Sequence, residues 1–518
     1  MYVGRGFALM FTLSSCGLAI LLFGIVFTIT WPSIWNDIIA KVLQLTPQSF
    51  SYEAWKQPPI NLSLDVYVFN WTNHEDFQNH SIKPHFDELG PYRFTEKPSK
   101  VNIQFNPENS TVTYRRLSVF QFDAAGSKGN LNDIVTSVNV IALTGSEKAR
   151  FADVITTRAI AMGFSMYRQK VHVTKSVSEL LFEGYEDNMV KLAKQLPFFE
   201  NFNVPFDRVG WFYMRNNSAD LFGYYNVNTG VADIQQLGML KNWNFKDTNG
   251  AYEGDCGQIR GSAGEFFAPQ QPRNGTISIF VSDMCRDLKL EYEKDVDVNG
   301  MLSYKFSGAQ RSIDNGSLYE ENLCFDAAEG LYSGVLNVSS CRYGVPVFVS
   351  YPHFFAADPY YREQVDGMDP VEEKHQFYMS LEPSTGVVMD VAARLQLNLL
   401  INPNAEIGIY SKVPKHFMPI LWFEQRVTMP PEIAIGITIA KSISWIVQVG
   451  FVIVLIIGLT MLLWRPINYF WHNFDAERQV ARKELEKPKK REDLPLLLKK
   501  EGIVGNAQFE SYSKCEIY

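Results

Sequence analysis

The sequence predicts an α+β membrane protein in which a β-rich domain, interrupted by one helical block, lies between two membrane-spanning helices. Three observations predict it: an uncharged apolar run near each end of the chain, short alternating segments with turn residues through most of the middle, and a single stretch of helical character between residues 131 and 196. With 46% apolar and 20% charged residues, the chain can bury a large core and lacks the composition of a disordered protein.

Residues 1–6 form a short N-terminus whose one charge is Arg5, and residues 7–31 contain no charged side chain. At a rise of about 1.5 Å per residue, such a run exceeds the roughly 30 Å of a bilayer core. A cleaved signal peptide is the alternative, but its apolar core would be shorter and end in small residues. Here the run continues into Trp31-Pro32-Ser33-Ile34-Trp35, so an uncleaved anchor is expected. The second run, residues 442–464, follows Lys441 and ends at Arg465-Pro466. A buried soluble helix is its alternative. Trp31, Trp35, Trp445, Trp464 and Trp471 fall near the expected interfaces, where an indole is half wetted.

Orientation follows from charge and from glycosylation signals. The tail, residues 465–518, carries eleven Lys/Arg against nine Asp/Glu, with a basic cluster from Arg482 to Arg491 that suits the cytoplasmic side. Asn61, Asn70, Asn79, Asn109, Asn216, Asn274, Asn315 and Asn337 each head an Asn-X-Ser/Thr triplet, and all eight lie between the spans. Glycans are added on the lumenal side, which places residues 32–441 outside the cytosol and both termini within it. That loop carries most of the negative charge of a chain whose formal net charge is −8, which argues against nucleic acid as a partner.

Of six cysteines, Cys16 lies in the first span and Cys515 in the tail, leaving Cys256, Cys285, Cys324 and Cys341 in the oxidising compartment. Two disulfides are expected, and spacing alone leaves three connectivities open. A four-cysteine metal site would need close Cys-x-x-Cys pairs, and the gaps of 29, 39 and 17 do not supply them.

Within the loop, Leu62, Leu64, Val66 and Val68 alternate with other residues as in a half-buried strand. Residues 101–105 and 111–122 flank Asn106-Pro107-Glu108-Asn109 and predict a hairpin. Residues 149–166 are helical in character, and Ser176-Val177-Ser178-Glu179 reads as a capping box. Short strands then return, including 276–282 and 394–400. No internal repeat or linker is visible, so one β-rich domain with an inserted helical bundle is expected.

Familiar catalytic signatures are absent: no His-Glu-x-x-His, no Gly-x-Ser-x-Gly and no phosphate loop. His353 reads as structural and Glu372-Glu373-Lys374-His375 as a solvated turn, so neither enzyme activity nor a cofactor is expected. Ala152, Ile155, Ala159, Ile160, Met162, Phe164 and Met166 instead spread apolar surface over more than one helical face. Ordinary core packing is one account of them. A greasy entrance or partner-binding face, with Arg168, Lys170 and His172 at its edge, is the other.

These residues, taken in order, resemble the class B scavenger receptor family, which includes fatty-acid and lipoprotein receptors, a lysosomal integral membrane protein and insect homologues. The resemblance is carried by Tyr67-Val68-Phe69-Asn70-Trp71-Thr72-Asn73, Glu88-Leu89-Gly90-Pro91-Tyr92-Arg93-Phe94, Leu180 to Tyr185, Tyr351-Pro352-His353-Phe354, Leu381-Glu382-Pro383-Ser384-Thr385-Gly386, Arg394-Leu395-Gln396-Leu397-Asn398 and Pro419-Ile420-Leu421-Trp422. It covers nearly the whole chain, and insect members, especially an apoptotic-cell receptor subgroup, look most similar. The resemblance implies an antiparallel β-barrel crossed by a hydrophobic tunnel and capped by a helical apex where ligands dock. It implies the pairings Cys256 with Cys324 and Cys285 with Cys341. A further short disulfide of many members is missing, with Asp326 and Gly330 at its positions, which is expected to free the segment from Glu329 to Tyr332. A ligand-binding lysine of the lipid receptors falls at or beside Gln169, between Arg168 and Lys170.

The resemblance implies a receptor, at the plasma membrane and in endosomes or lysosomes, for lipids, lipoproteins or anionic lipid surfaces. A sorting receptor or membrane organiser that binds a lumenal protein is the second reading. In the tail, Glu492, Asp493, Leu496, Leu497 and Leu498 form an acidic dileucine run, an address for clathrin-adaptor complexes. A chance acid-then-leucine run is the alternative.

Overall fold

The computed structural model describes residues 2–60, 62–79, 81–195, 206–308, 310–325 and 330–485. Asn61 and the tail signal at 492–498 lie outside the described residues. Two compact units are present, one made of Met1–Ile29 with Val449–Tyr518 and the other of Thr30–Gln448.

Helix α1, Tyr2–Leu43, contains the first apolar run and continues past Trp31 with Pro32 inside it. The helix Pro431–Leu485, the last among the described residues, contains the second and begins before residue 442. The stretches Ser15–Leu43 and Pro431–Trp464 are long and apolar enough to cross a bilayer. Leu22, Ile29, Ile446 and Ile453 are exposed along them, the opposite of what a soluble core helix would show. In the first unit, glycines let the two helices approach closely: a Cβ on Gly24 would lie 2.7 Å from the backbone of Leu455, and one on Gly458 would lie 2.5 Å from that of Leu21. Phe27 stacks on Phe451 with ring centroids 5.1 Å apart.

In the second unit, helix α2 (Phe50–Lys56) precedes strands β1 (Leu62–Trp71), β2 (Phe86–Asn106) and β3 (Thr111–Phe122). A 3-10 turn at Pro107–Asn109 joins β2 to β3, as the Asn and Pro residues there predict. An inserted block follows: β4 (Ile134–Val138), α3 (Val140–Ala149), α4 (Val154–Met166), β5 (His172–Ser176) and α5 (Asn188–Gln195). Strands then dominate: β6 (Tyr224–Asn228), β7 (Leu240–Trp243), β8 (Thr276–Val281), β9 (Arg286–Val298), β10 (Met301–Ser307), β11 (Leu336–Asn337) and β12 (Val347–Ser350). Short helices α6 (Pro359–Glu363) and α7 (Glu372–His375) lead to β13 (Tyr378–Leu381), β14 (Val388–Ile401), β15 (His416–Thr428) and the long helix Pro431–Leu485, α8.

The strands form one antiparallel sheet in the order β7-β6-β3-β2-β1-β15-β14-β13-β10-β9-β8, with β12 added to β14 and β11 to β12. The two ends of that order are stitched by residues 261–263. Leu240 N donates to Gly261 O at 2.9 Å and Ala263 N to Gly238 O at 3.0 Å on the β7 side. Ser262 N donates to Ser278 O at 2.7 Å and Phe280 N to Ser262 O at 2.8 Å on the β8 side. The sheet thereby closes nearly into a barrel and leaves little unpaired edge.

Strand β1 departs from the simple alternation that its sequence suggests. Leu64, Val66 and Val68 are buried, but so are Phe69 and Trp71, because the register against β2 shifts between Val66 and Val68 and exchanges the faces. Asp65 is buried as well, and Arg93 spans its carboxylate with two bonds of 2.6 Å. The block of helical character also contains a two-stranded sheet, β4 with β5, where the sequence suggests helix. Short polar-flanked strands carry too little period to separate from helix.

One apolar core runs from Trp71, Tyr92, Phe306 and Phe417 in the barrel to Ile160, Phe164 and Leu181 in the inserted block. A second gathers Leu45 and Trp55 against Tyr114, Tyr225 and Phe280. Cys256 bonds Cys324 and Cys285 bonds Cys341, with Cα atoms 5.7 and 5.8 Å apart. Beside the second bridge, Asp283 takes Arg215 Nη1 at 2.9 Å and also Arg342. Burial opposes the charge of Asp283, and the two guanidinium groups overcome it and hold the carboxyl well below its ordinary range. Residues 326–329 lie outside the described residues. Tyr332, expected to be free, has its carbonyl bound by Tyr361 OH at 2.6 Å.

The Glu382-Pro383-Ser384-Thr385-Gly386 turn is an acid-centred knot. The buried Glu382 carboxylate accepts Ser384 Oγ at 2.6 Å, Thr385 N at 2.8 Å and Lys441 Nζ of α8 at 2.9 Å. His353 is structural: Asp369 N donates to its Nδ1 at 2.9 Å, and its Nε2 donates to Glu88 at 2.6 Å. The 372–375 turn is solvated except at His375, which is buried and stacks on His353. Burial, then the neighbouring His353, pushes the His375 imidazole down to about 3.

Candidate ligand-binding apex

The inserted block projects two capped helices. Asn139 caps α3 by accepting Ala142 N at 3.1 Å, and Asp153 caps α4 by accepting Ile155 N at 2.8 Å and Thr156 N at 3.0 Å. Within the 149–166 stretch of helical character, α3 ends at Ala149 and α4 starts at Val154, where Asp153 caps it. The capping box is realised at a π turn, Glu179–Glu183, where Ser176 N donates to Glu179 at 3.0 Å and Glu179 N to Ser176 Oγ at 3.3 Å.

On α4 the apolar residues divide by face. Thr156, Ile160, Gly163 and Phe164 point inward. Glycines allow this packing, since a Cβ on Gly145 of α3 would meet Phe164 at 2.8 Å and one on Gly163 would meet Met189 of α5 at 2.9 Å. Outward, Phe151 is 86% exposed, Ile155 68%, and Met162 and Met166 65% each. Ile155, Met162 and Met166 recur at helical spacing and form one stripe, with Val154 and Phe151 at its head. Of the residues named from the sequence, Ile160 and Phe164 are therefore core, Ala152 and Ala159 are half-buried, and Ile155, Met162 and Met166 are surface.

Arg158 is exposed within the stripe, one turn from Ile155 and one from Met162. The apolar pattern alone does not mark Arg158, although its spacing from Ile155 and Met162 in the sequence does. Arg168 and Lys170 are exposed at the C-terminal end and form no ion pair among the described residues. Arg168 also closes the helix: its left-handed φ of 49° turns the chain so that Gln169 N reaches Phe164 O at 2.9 Å.

Gln169 differs from its two neighbours. Its Oε1 accepts Asn139 Nδ2 at 2.7 Å, and its Nε2 donates to Asp187 at 3.3 Å. It is half-buried and ties the cap of α3 to the entry of α5, which makes it a brace. Arg158, Arg168 and Lys170 are the exposed cations on and just after α4.

The sequons are unequally placed. Asn79, Asn109, Asn216 and Asn274 are exposed, and Asn70 and Asn337 are half-buried. Asn315 is 3% exposed, with Nδ2 donating to Tyr332 O at 3.3 Å.

Comparison with known proteins places this architecture. The sequence pattern of the CD36 family matches residues 15–469. The chain is 39% identical to Protein peste of Drosophila melanogaster over 88% of its own length and 82% of that protein. It is 31% identical to scavenger receptor class B member 1 of Rattus norvegicus, over 79% of each chain. Lysosome membrane protein 2 of Mus musculus is 28% identical over 77% of this chain and 81% of that one. With two terminal spans, a nearly closed antiparallel barrel and this extent of similarity, the chain belongs to the CD36 family.

Proposed function

We propose that this protein is a scavenger-type receptor that captures lipids, lipoproteins or anionic lipid surfaces, such as those of apoptotic cells, at the helical apex. Apolar ligands then pass through the interior of the barrel toward the membrane. The observation that carries the reading is the exposed stripe of Phe151, Ile155, Met162 and Met166, set among Arg158, Arg168 and Lys170. Apolar side chains can enter a lipid surface while the cations meet its phosphates. The similarity to scavenger receptor class B member 1 supports the class of ligand.

The test is capture of phosphatidylserine and phosphatidylcholine vesicles by the full chain on cells, with Ile155→Asp and Met162→Asp together. Capture should fall several-fold, and Lys170→Glu should weaken the phosphatidylserine arm and reduce its salt sensitivity. Unchanged capture by the double variant would remove the apex as the docking surface. Bound lipid in the purified protein, read by mass spectrometry, tests the transfer step, which fails if none is found.

A second reading, as an endosomal or lysosomal sorting receptor for a lumenal protein, is favoured by the tail run Glu492-Asp493-Leu494-Pro495-Leu496-Leu497-Leu498 and by the similarity to lysosome membrane protein 2. Adaptor complexes would read that run. Replacing Leu496 and Leu497 with Ala should raise labelling on intact cells, and no rise would leave the plasma-membrane receptor reading alone.

A further inference from the structure

Where the inserted block joins the barrel, two imidazoles and a carboxylate converge from distant parts of the chain. His74 and Glu75 lie on the 3-10 turn His74–Asp76 that follows β1, and His172 opens β5, the strand returning from the apex. The imidazole centroids are 4.3 Å apart. Glu75 Oε1 lies 3.5 Å from His74 Nε2 and 3.8 Å from His172 Nε2, and all three donor atoms lie within 4.8 Å of one another.

His74 Nδ1 lies 3.1 Å from the carbonyl of Trp71, so Nδ1 carries the proton and Nε2 is the bare nitrogen aimed at Glu75. A hydrogen bond from the remote ring nitrogen to a carbonyl is the arrangement that orients a metal-binding histidine. The Trp71 indole stands edge-on to the His172 ring, with centroids 6.4 Å apart, and limits its rotation.

We propose that His74, Glu75 and His172 bind a divalent transition metal, Zn²⁺ by the kind and number of their donors, with a fourth position open to water or an exchangeable ligand. Tetrahedral zinc, with bonds of about 2.0–2.1 Å, holds its donors about 3.3–3.4 Å apart. The Glu75 oxygen, at 3.5 and 3.8 Å from the two nitrogens, sits slightly farther out than that, and its exposed side chain is free to turn inward. Such an ion would clamp the end of β1 to the root of the apex, two residues from Lys170. The site rests on its own donors and does not depend on the receptor reading.

The experiment uses the full chain, purified in detergent with an affinity tag that contains no histidine, and titrated with Zn²⁺ in a calorimeter. A saturable site of one ion per chain is expected. His172→Gln and Glu75→Gln should each weaken it by at least about tenfold, the lower end of what loss of even an outer-shell partner costs. Co²⁺ should give the visible absorption of a tetrahedral nitrogen/oxygen site in the wild type and lose it in both variants. Glu75 is a surface residue, so Glu75→Gln decides the matter even if His172→Gln does not fold. No saturable Zn²⁺ binding, or binding of equal strength in Glu75→Gln, overturns the proposal.

Discussion

In the barrel, Phe69, Trp71, Tyr92, Phe306 and Phe417 are covered, and the Tyr92 hydroxyl is paired with Asp133 at 3.0 Å. At the apex, Ile155, Met162 and Met166 face solvent on a helix whose inner side is already anchored by Ile160 and Phe164, and Phe151 is exposed in the bend that precedes it. The same residue types thus serve different ends. A barrel strand needs its apolar side chains to fold, whereas α4 keeps a second apolar face that the described residues leave uncovered. That surplus, bordered by cations, is what a lipid-binding surface requires.

The contrast can be broken from the barrel side first. Trp71→Ala removes a side chain that is 1% exposed and should cost about 3–5 kcal/mol, read as a lowered midpoint in chemical unfolding of the detergent-solubilised chain. A cost as small as that of a surface substitution would mean that the two regions tolerate truncation alike.

Acidification should act on the barrel next. His375 titrates near 3 when folded, against about 6.5 when unfolded, so below pH 6.5 the unfolded chain takes up a proton that the folded chain refuses. Its contribution is complete above pH 6.5 and declines as pH falls toward 3. Between pH 6.5 and 5 the loss should be about 2 kcal/mol. His375→Gln retains a side-chain acceptor near Val371 N and should flatten that part of the stability profile. An unchanged slope would assign the pH dependence to other groups.

Gln169→Ala sharpens the comparison within the apex. It removes the bond to Asn139 and should cost about 1 kcal/mol, while Lys170→Ala should leave the unfolding midpoint unmoved. Equal stability effects would show that Gln169 does not act as a brace. The smallest stability effect belongs to Ile155→Ala with Met162→Ala, within about 0.5 kcal/mol, although vesicle capture should drop. A large loss of stability there would mean that the stripe is core to something this chain itself folds against it.

Several local features could be read directly because their causes are local. The β2–β3 hairpin is written in Asn106-Pro107-Glu108-Asn109, the capping box in Ser176 and Glu179, and both spans in uninterrupted apolar length. Arg168 shows the limit: it stops α4 in a left-handed conformation usually left to Gly or Asn, and nothing in its type announces that. Gln169 likewise resembles its basic neighbours in position and differs from them in its partners, Asn139 and Asp187, which are distant in the chain.

By itself the sequence determined the two apolar stretches long enough to cross a bilayer, the eight sequons between them, the clustering of four cysteines within residues 256–341, and much of the alternation of strand and helix. These depend on side-chain type and spacing within one or two turns, where solvent and lipid act on each segment alone. Tertiary structure alone decided that residues 261–263 close the sheet between β7 and β8, that Asn315 is buried while Asn274 is exposed, and that His74 meets His172. It also decided which face of α4 stays wet. Each of these is a contact between segments far apart in the chain, set by the packing of the whole barrel and its insert, and no local period encodes such a contact.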